Sequence, residues 1–282
     1  MAVIALCSAK SAGATTSALA LTLTWPRAAL LVEADPAGSD LHPGFLRSRG
    51  RLERGLLAAA MAVRRQAGPA ALLEQATTLD ARGERLLITG LTDPAHSAVA
   101  AAAWSELSGA LRALPALGVH HDVILDCGRL GHRHEPTPLL TGADTVVLVL
   151  RPTITQVHRT LTHLPALRPS PPAPAPRLLL AAIGTGEVDE KTLRTLSAEA
   201  GAGYLGALPE DQRAAAILAG HGEAGRGLER TALLRSARAL ATTLATVAPA
   251  PRPPAAEAER PGHPGPPPPQ HDPVPGGEHV SR

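Results

Sequence analysis

Aromatic residues are nearly missing from this chain of 282 positions, which holds only Trp25, Phe45, Trp104 and Tyr204. That scarcity argues against a surface that stacks bases of single-stranded nucleic acid on aromatic rings. A core must then be built from Leu, Val, Ile and Ala, and the 44% apolar composition is enough to bury a sizeable one. Cysteine is equally scarce: Cys7 and Cys127 stand alone, without C-x-x-C spacing. Their spacing argues against a disulfide framework or a zinc site and fits a reducing, cytoplasmic compartment. Charge of one sign is also lacking, since the formal net charge is +2. No strong nonspecific pull toward DNA is expected, which leaves DNA contact to a local patch at most. No run approaches the roughly 20 apolar residues of a membrane span. The apolar start, residues 2–6, is short and lacks the charged lead of a signal peptide.

What is present alternates. Short apolar runs at residues 2–7, 29–33, 86–89, 122–126, 145–150 and 178–183 read as strands buried on both faces. Between them, helical spacing appears at 15–25, 55–66, 70–76, 95–114 and 155–164, and later at 189–200, 211–219 and 228–248. Pro26 and Pro115 are read as helix stops. The alternation predicts an α/β fold with a doubly wound, mainly parallel sheet and helices on both faces. Residues 38–54 read as a loop with short helical turns, and the proline-rich stretch 165–176 as a semi-rigid spacer. The expected domain is residues 1–248. Residues 249–282, rich in Pro and Gly, are expected to be a disordered tail, read as a solvated extension in preference to a proline-motif docking segment.

One stretch carries chemistry. After the first strand come Cys7, Ser8, Ala9, Lys10, Ser11, Ala12, Gly13 and Ala14, then Thr15 and Thr16 opening a helix. Small residues let backbone N–H groups turn around phosphate oxygens, and the following helix adds its positive end. By itself this layout is equally that of a tight strand-to-helix turn. On the G-x-x-x-x-G-K-[ST] frame, Ala9 and Ala14 stand at the glycines, Thr15 at the lysine and Thr16 at the hydroxyl that holds magnesium. The second strand ends in Glu33, Ala34, Asp35, Pro36, Ala37, Gly38, Ser39 and Asp40. A third segment, His121 to Gly128, is an apolar strand closed by Asp126, and a fourth reads Gly206, Ala207, Leu208, Pro209, Glu210, Asp211.

In order and spacing these segments resemble the ParA/MinD family of P-loop NTPases, whose deviant loop reads K-G-G-x-G-K-[ST]. The resemblance spans roughly residues 1–248 and implies a nucleotide-binding switch using ATP and Mg2+, acting as a homodimer that recruits a protein partner or positions cargo. Carried over position by position, Lys10 matches the signature lysine that reaches the partner's phosphates, and Asp35 the aspartate that orients the attacking water. Ser11, Ala12, Gly13, Ala14, Thr15 and Thr16 match the phosphate loop. Thr16 and Asp126 match the magnesium site, Asp126 acting through water, while Pro209 and Asp211 match the frame of the base pocket. Two departures bear on activity. Thr15 replaces the P-loop lysine and offers only a neutral hydrogen bond, so weak or absent hydrolysis is expected. Gly184, Thr185 and Gly186 stand where the family carries an adenine-reading asparagine. The alternative is a pseudo-NTPase scaffold or regulatory protein, for example in positioning a secretion or pilus system, without turnover.

His120, His121, His132 and His134 bracket Asp126, but their placement before a strand and in a loop shows no metal-ligand pattern. The last helix, with Arg230, Arg235 and Arg238 beside leucines, is expected to pack on the sheet and not to insert stably in a membrane.

Overall fold

The computed structural model describes residues 1–47, 53–169, 175–222 and 227–247. The tail 249–282 lies outside these residues, as do parts of the stretches 38–54 and 165–176. Eight strands form one sheet: β1 (Val3–Ser8), β2 (Ala29–Glu33), β3 (Thr77–Thr78), β4 (Arg85–Ile88), β5 (Asp122–Arg129), β6 (Thr145–Leu150), β7 (Arg177–Ile183) and β8 (Gly203–Leu208). Their order is β3-β4-β2-β5-β1-β6-β7-β8. Every pairing is parallel except that of β3, a two-residue antiparallel edge. The expected doubly wound, mainly parallel sheet is what the chain forms.

Parallel strands need helical crossovers, which cover both faces. The helices are α1 (Ala14–Thr24), α2 (Leu56–Arg64), α3 (Ala70–Leu73), α4 (Ser97–Ala101), α5 (Trp104–Ala113), α6 (Thr137–Gly142), α7 (Ile154–His163), α8 (Glu190–Glu199), α9 (Gln212–Leu218) and α10 (Ala232–Val247). Alternate residues of each strand serve opposite layers. Ile4, Leu6, Leu31, Ile124, Val147 and Val149 pack with α1, α9 and α10. Ala5, Cys7, Val32, Leu125, Cys127 and Leu148 pack with residues of α2, α5, α6, α7 and α8.

Helix α1 is buried on nearly every side, and the threonines of its last turns are satisfied internally. The hydroxyls of Thr22 and Thr24 donate to the carbonyls of Ala18 and Ala20, each at 2.7 Å. On α10, Leu233, Leu234, Ala237, Leu240, Ala241 and Leu244 are buried against α1 and the sheet, while Arg235 and Arg238 face outward, as does Arg230 in the 3-10 turn Leu228–Arg230 before it. The last helix thus packs as expected. Among the described residues no helix is long and apolar enough to cross a membrane.

Three expectations needed correction. The helix expected over 95–114 is two helices, preceded by a 3-10 turn at Pro94–His96 and broken at Ala102 and Ala103. The break lets α5 turn Trp104, Leu107 and Leu111 into the core. Strand β8 was not foreseen because Gly203 and Gly206 interrupt its apolar run, and β7 and β8 pair across a register shift there. Helix α6 was also missed: six residues opened by a Thr-Pro pair carry too short a pattern to read.

The amino edge of the sheet is pinned by two buried aspartates. Asp122 accepts from the backbone N–H of Ala2 (2.7 Å), the indole of Trp25 (2.8 Å) and the guanidinium of Arg27 (2.7 Å). Asp144 accepts from the N–H of Val3 (2.8 Å) and from Arg112 (2.9 Å).

Candidate functional site

Ligands bind at the carboxyl edge of such a sheet, where the strand order reverses. Here β1, lying between β5 and β6, runs into the phosphate-type loop. Gly13, the residue before α1, takes a left-handed φ of 91° with nothing within 4 Å of where a Cβ would stand. That conformation turns the chain into the helix at little steric cost. The first turn of α1 holds no acidic residue, so its positive end is left unneutralised by its own side chains. Ala12 and Ala14 are buried and anchor the loop, Thr15 and Thr16 are half-buried, and Lys10, Ser11 and Gly13 face solvent.

Asp126 sits across from this turn. Glu33 of β2 and Leu6 of β1 are its register partners, so its strand ends beside the loop. The side chain is fully buried. Its Oδ1 accepts from the N–H of Gly128 (3.1 Å); the Thr15 hydroxyl stands next to the carboxylate, yet Oδ2 receives no hydrogen bond of good geometry. Burial pushes the carboxyl up to about 7, with the neighbouring Thr15 hydroxyl opposing and the Glu33 carboxylate adding to the rise. The hydroxyl facing Asp126 is therefore that of Thr15, while Thr16 opens into two clefts.

Glu33 has a different task. Its carboxylate accepts from the Ser39 hydroxyl (2.5 Å) and from the N–H groups of Asp40 (2.7 Å), Leu41 (3.0 Å) and Gly90 (2.7 Å). It organises the loop after β2 and joins it to the end of β4. Asp35 accepts from the N–H of Ala37 at 2.7 Å, forming a local turn. Its carboxylate lies on Gly128, where a Cβ would fall 2.0 Å from Oδ2, and Gly128 holds φ at 62°. Glycine at 128 is thus what lets Asp35 approach Asp126. Burial also raises the carboxyls of Glu33 and Asp35. The structure brings together Asp35, Asp126 and Thr15, opens Thr16 into the adjoining clefts and leaves Lys10 exposed on the loop.

Two clefts flank Thr16. The larger, about 490 Å³, lies between α1, the loop at Asp40 to Gly44 and the segment after α9, with Thr15, Thr16, Asp40 and His221 on its wall. The smaller, about 170 Å³, is lined by Gly13, Thr16, Arg151, Ile183, Pro209 and Glu210 among others. Pro209 is on its wall. Asp211 lines it too, but its carboxylate is committed elsewhere: it caps α9 through Ala214 N–H (3.0 Å) and reaches Leu233 N–H (3.4 Å). Only its backbone side is left to frame a ligand.

Sequence reasoning missed Arg151 and Glu210, which form an ion pair at 2.7 Å beside this cleft. The available signal was Arg151-Pro152 directly after the apolar run of β6. Gly184, at a φ of 69°, donates to the Leu208 carbonyl (2.8 Å) and packs near Glu210, placing no side-chain amide at the cleft.

No protein-family model matches the sequence, and no curated protein matches it. Solved structures do. A ParA family ATPase from Chlorobium tepidum aligns with a TM-score of 0.63 at 15% identity, covering 86% of this chain and 97% of that one. The MinC:MinD cell division complex of Aquifex aeolicus gives 0.65 at 16% identity, over 87% and 96% of the two chains. The fold is that of the ParA/MinD ATPases. A McdA variant from Cyanothece in complex with ATP shares the ParA/MinD fold, with a TM-score of 0.61 at 16% identity and coverage of 85% and 96%.

A magnesium nucleotide would find part of what it needs here. The turn at Gly13 and the N-terminus of α1 offer backbone donors, and Oδ2 of Asp126 is a buried acceptor in want of a partner. The lysine position does not fit: Thr15 brings no charge.

Proposed function

We propose that this chain is a ParA/MinD-type nucleotide switch that binds ATP with Mg2+, pairs with a second copy and thereby recruits or positions a partner, with weak or absent hydrolysis. The observation that carries the reading is the Oδ2 of Asp126, buried without a partner beside the first turn of α1. A buried carboxylate oxygen without a good donor is costly, and a hydrated magnesium ion would satisfy it, since magnesium prefers oxygen ligands and retains waters. The loop N–H groups and Thr16 would hold the phosphates and the metal. Asp35 would orient water, and Lys10, exposed on the loop, would reach a partner copy's phosphates. Bound Mg2+ supplies charge that steadies the phosphate oxygens. Without a lysine at position 15 the transition state loses several kcal/mol of such stabilisation, which favours binding over turnover.

Thr15 also supports the second reading, a pseudo-NTPase scaffold that kept the fold and acts through protein partners alone. Isothermal titration of the whole chain with ATP and Mg2+ separates the two, with Asp126→Ala and Lys10→Ala alongside. Saturable binding that disappears in Asp126→Ala is the expected result. No saturation at millimolar nucleotide would overturn the switch and leave the scaffold.

A further inference from the structure

Thr15 leaves the phosphate loop without its cation, yet the two strands flanking β1 each lead to an arginine at the carboxyl end. β5 closes on Arg129, and Arg151 directly follows the last residue of β6. On the β5 side a bulge sets the position. Leu6 pairs with Asp126 and Ser8 with Arg129, so β5 takes three steps where β1 takes two. The N–H of Leu130 then donates to the Ser8 carbonyl at 2.9 Å. Arg129 is thereby fixed beside the residue from which the loop departs. On the β6 side, Arg151 shares the wall of the smaller cleft with Gly13 and Thr16.

Both guanidinium groups are open to exchange. Arg129 is exposed, and its Nε donates to Nε2 of His132 at 2.9 Å, a nitrogen that accepts only when the imidazole is neutral. Among the described residues no carboxylate lies within ion-pair distance of Arg129. Arg151 is paired with Glu210, but the two side chains are 42% and 47% exposed, and solvent weakens such a pair.

We propose that Arg129 and Arg151 supply the positive charge that Thr15 cannot, gripping the phosphates of a bound nucleotide from the β5 and β6 sides of the loop. A guanidinium offers forked donors matched to phosphate oxygens and stays charged at any working pH. Two of them, one on each side, would take over the charge of the one lysine that Thr15 replaces. The inference rests on the nucleotide-binding reading above.

The test is calorimetric titration of the full chain with ATP, ADP and adenosine in Mg2+, for the wild type, Arg129→Gln, Arg151→Gln and each variant combined with Thr15→Lys. Each glutamine variant should weaken ATP about 10- to 100-fold, ADP less, and adenosine hardly at all. Adding Thr15→Lys should recover about tenfold or more. Glu210→Gln, which releases Arg151, should tighten ATP. Unchanged ATP affinity in both glutamine variants would overturn this inference while leaving the switch intact. So would an equal loss of ATP and adenosine, which signals a damaged pocket and not a missing charge. A wild type that fails to saturate with ATP removes the nucleotide reading, and this inference with it.

Discussion

The two edges of the sheet hold buried carboxylates in opposite circumstances. At the amino edge, Asp122 and Asp144 each have an arginine and a backbone N–H at the entry to the first strand, from Ala2 and Val3. At the carboxyl edge, Glu33, Asp35 and Asp126 gather with no arginine or lysine in ion-pair contact among the described residues, and burial raises all three. The difference separates Asp122 and Asp144, and within the carboxyl edge the saturated Glu33, from Asp126, whose Oδ2 stays without a good donor. An aspartate whose acceptors are all used is structural. One left with a bare buried oxygen is a functional candidate.

Removing Asp122 should break the contrast most severely. Asp122→Ala orphans the Trp25 indole and the Ala2 N–H and frees Arg27, and urea denaturation should show a loss of about 3–5 kcal/mol. Asp126→Asn should act in the other direction. The folded-state value near 7 stands above the ordinary aspartate value of 3.8, so the native state holds the proton more tightly than the unfolded chain. Its contribution is therefore full below the ordinary value and is lost as pH rises toward 7. The asparagine variant lacks that loss, and above pH 7 it should be more stable than wild type by roughly 2–4 kcal/mol, with the gap closing in acid. Denaturation curves with equal gaps at low and high pH would contradict the assignment. Glu33→Gln keeps the shape but turns one acceptor into a donor facing N–H groups. A cost of about 1–3 kcal/mol is expected, with faster amide exchange at Asp40, Leu41 and Gly90. The smallest effect belongs to Glu210→Gln, whose half-exposed pair with Arg151 should contribute less than about 1 kcal/mol to stability.

Much of this contrast was legible in the chain. The runs at β1, β2, β5 and β6 are apolar on both faces, a pattern only a sheet covered on both sides explains, and Asp126 and Asp35 were placed by standing at the ends of such runs. The edge strands β3 and β8 were not legible, because a strand with one neighbour need not be continuously apolar. Nor was the division of labour between Glu33 and Asp35. The two lie two residues apart in one acidic segment, and only the folded loop shows that the first is saturated with donors while the second rests on Gly128. Arg151 escaped notice because its partner Glu210 lies 59 residues further on, a separation across which spacing carries no information. Asp122 was read only as the start of a strand, since its arginine and indole partners come from the turn after α1.

The shortage of aromatic rings has a practical sequel. Of the two tryptophans, Trp25 is tied to Asp122 at the amino edge, whereas the indole of Trp104 donates to the His134 carbonyl at 3.1 Å, on the loop that follows Arg129. Each edge therefore carries its own emitter, with little other fluorescence to mask it. Replacing Trp25 with Phe would leave a single optical reporter attached to the segment that adjoins the carboxylate cluster, so movement of that loop could be followed by light alone, without a label.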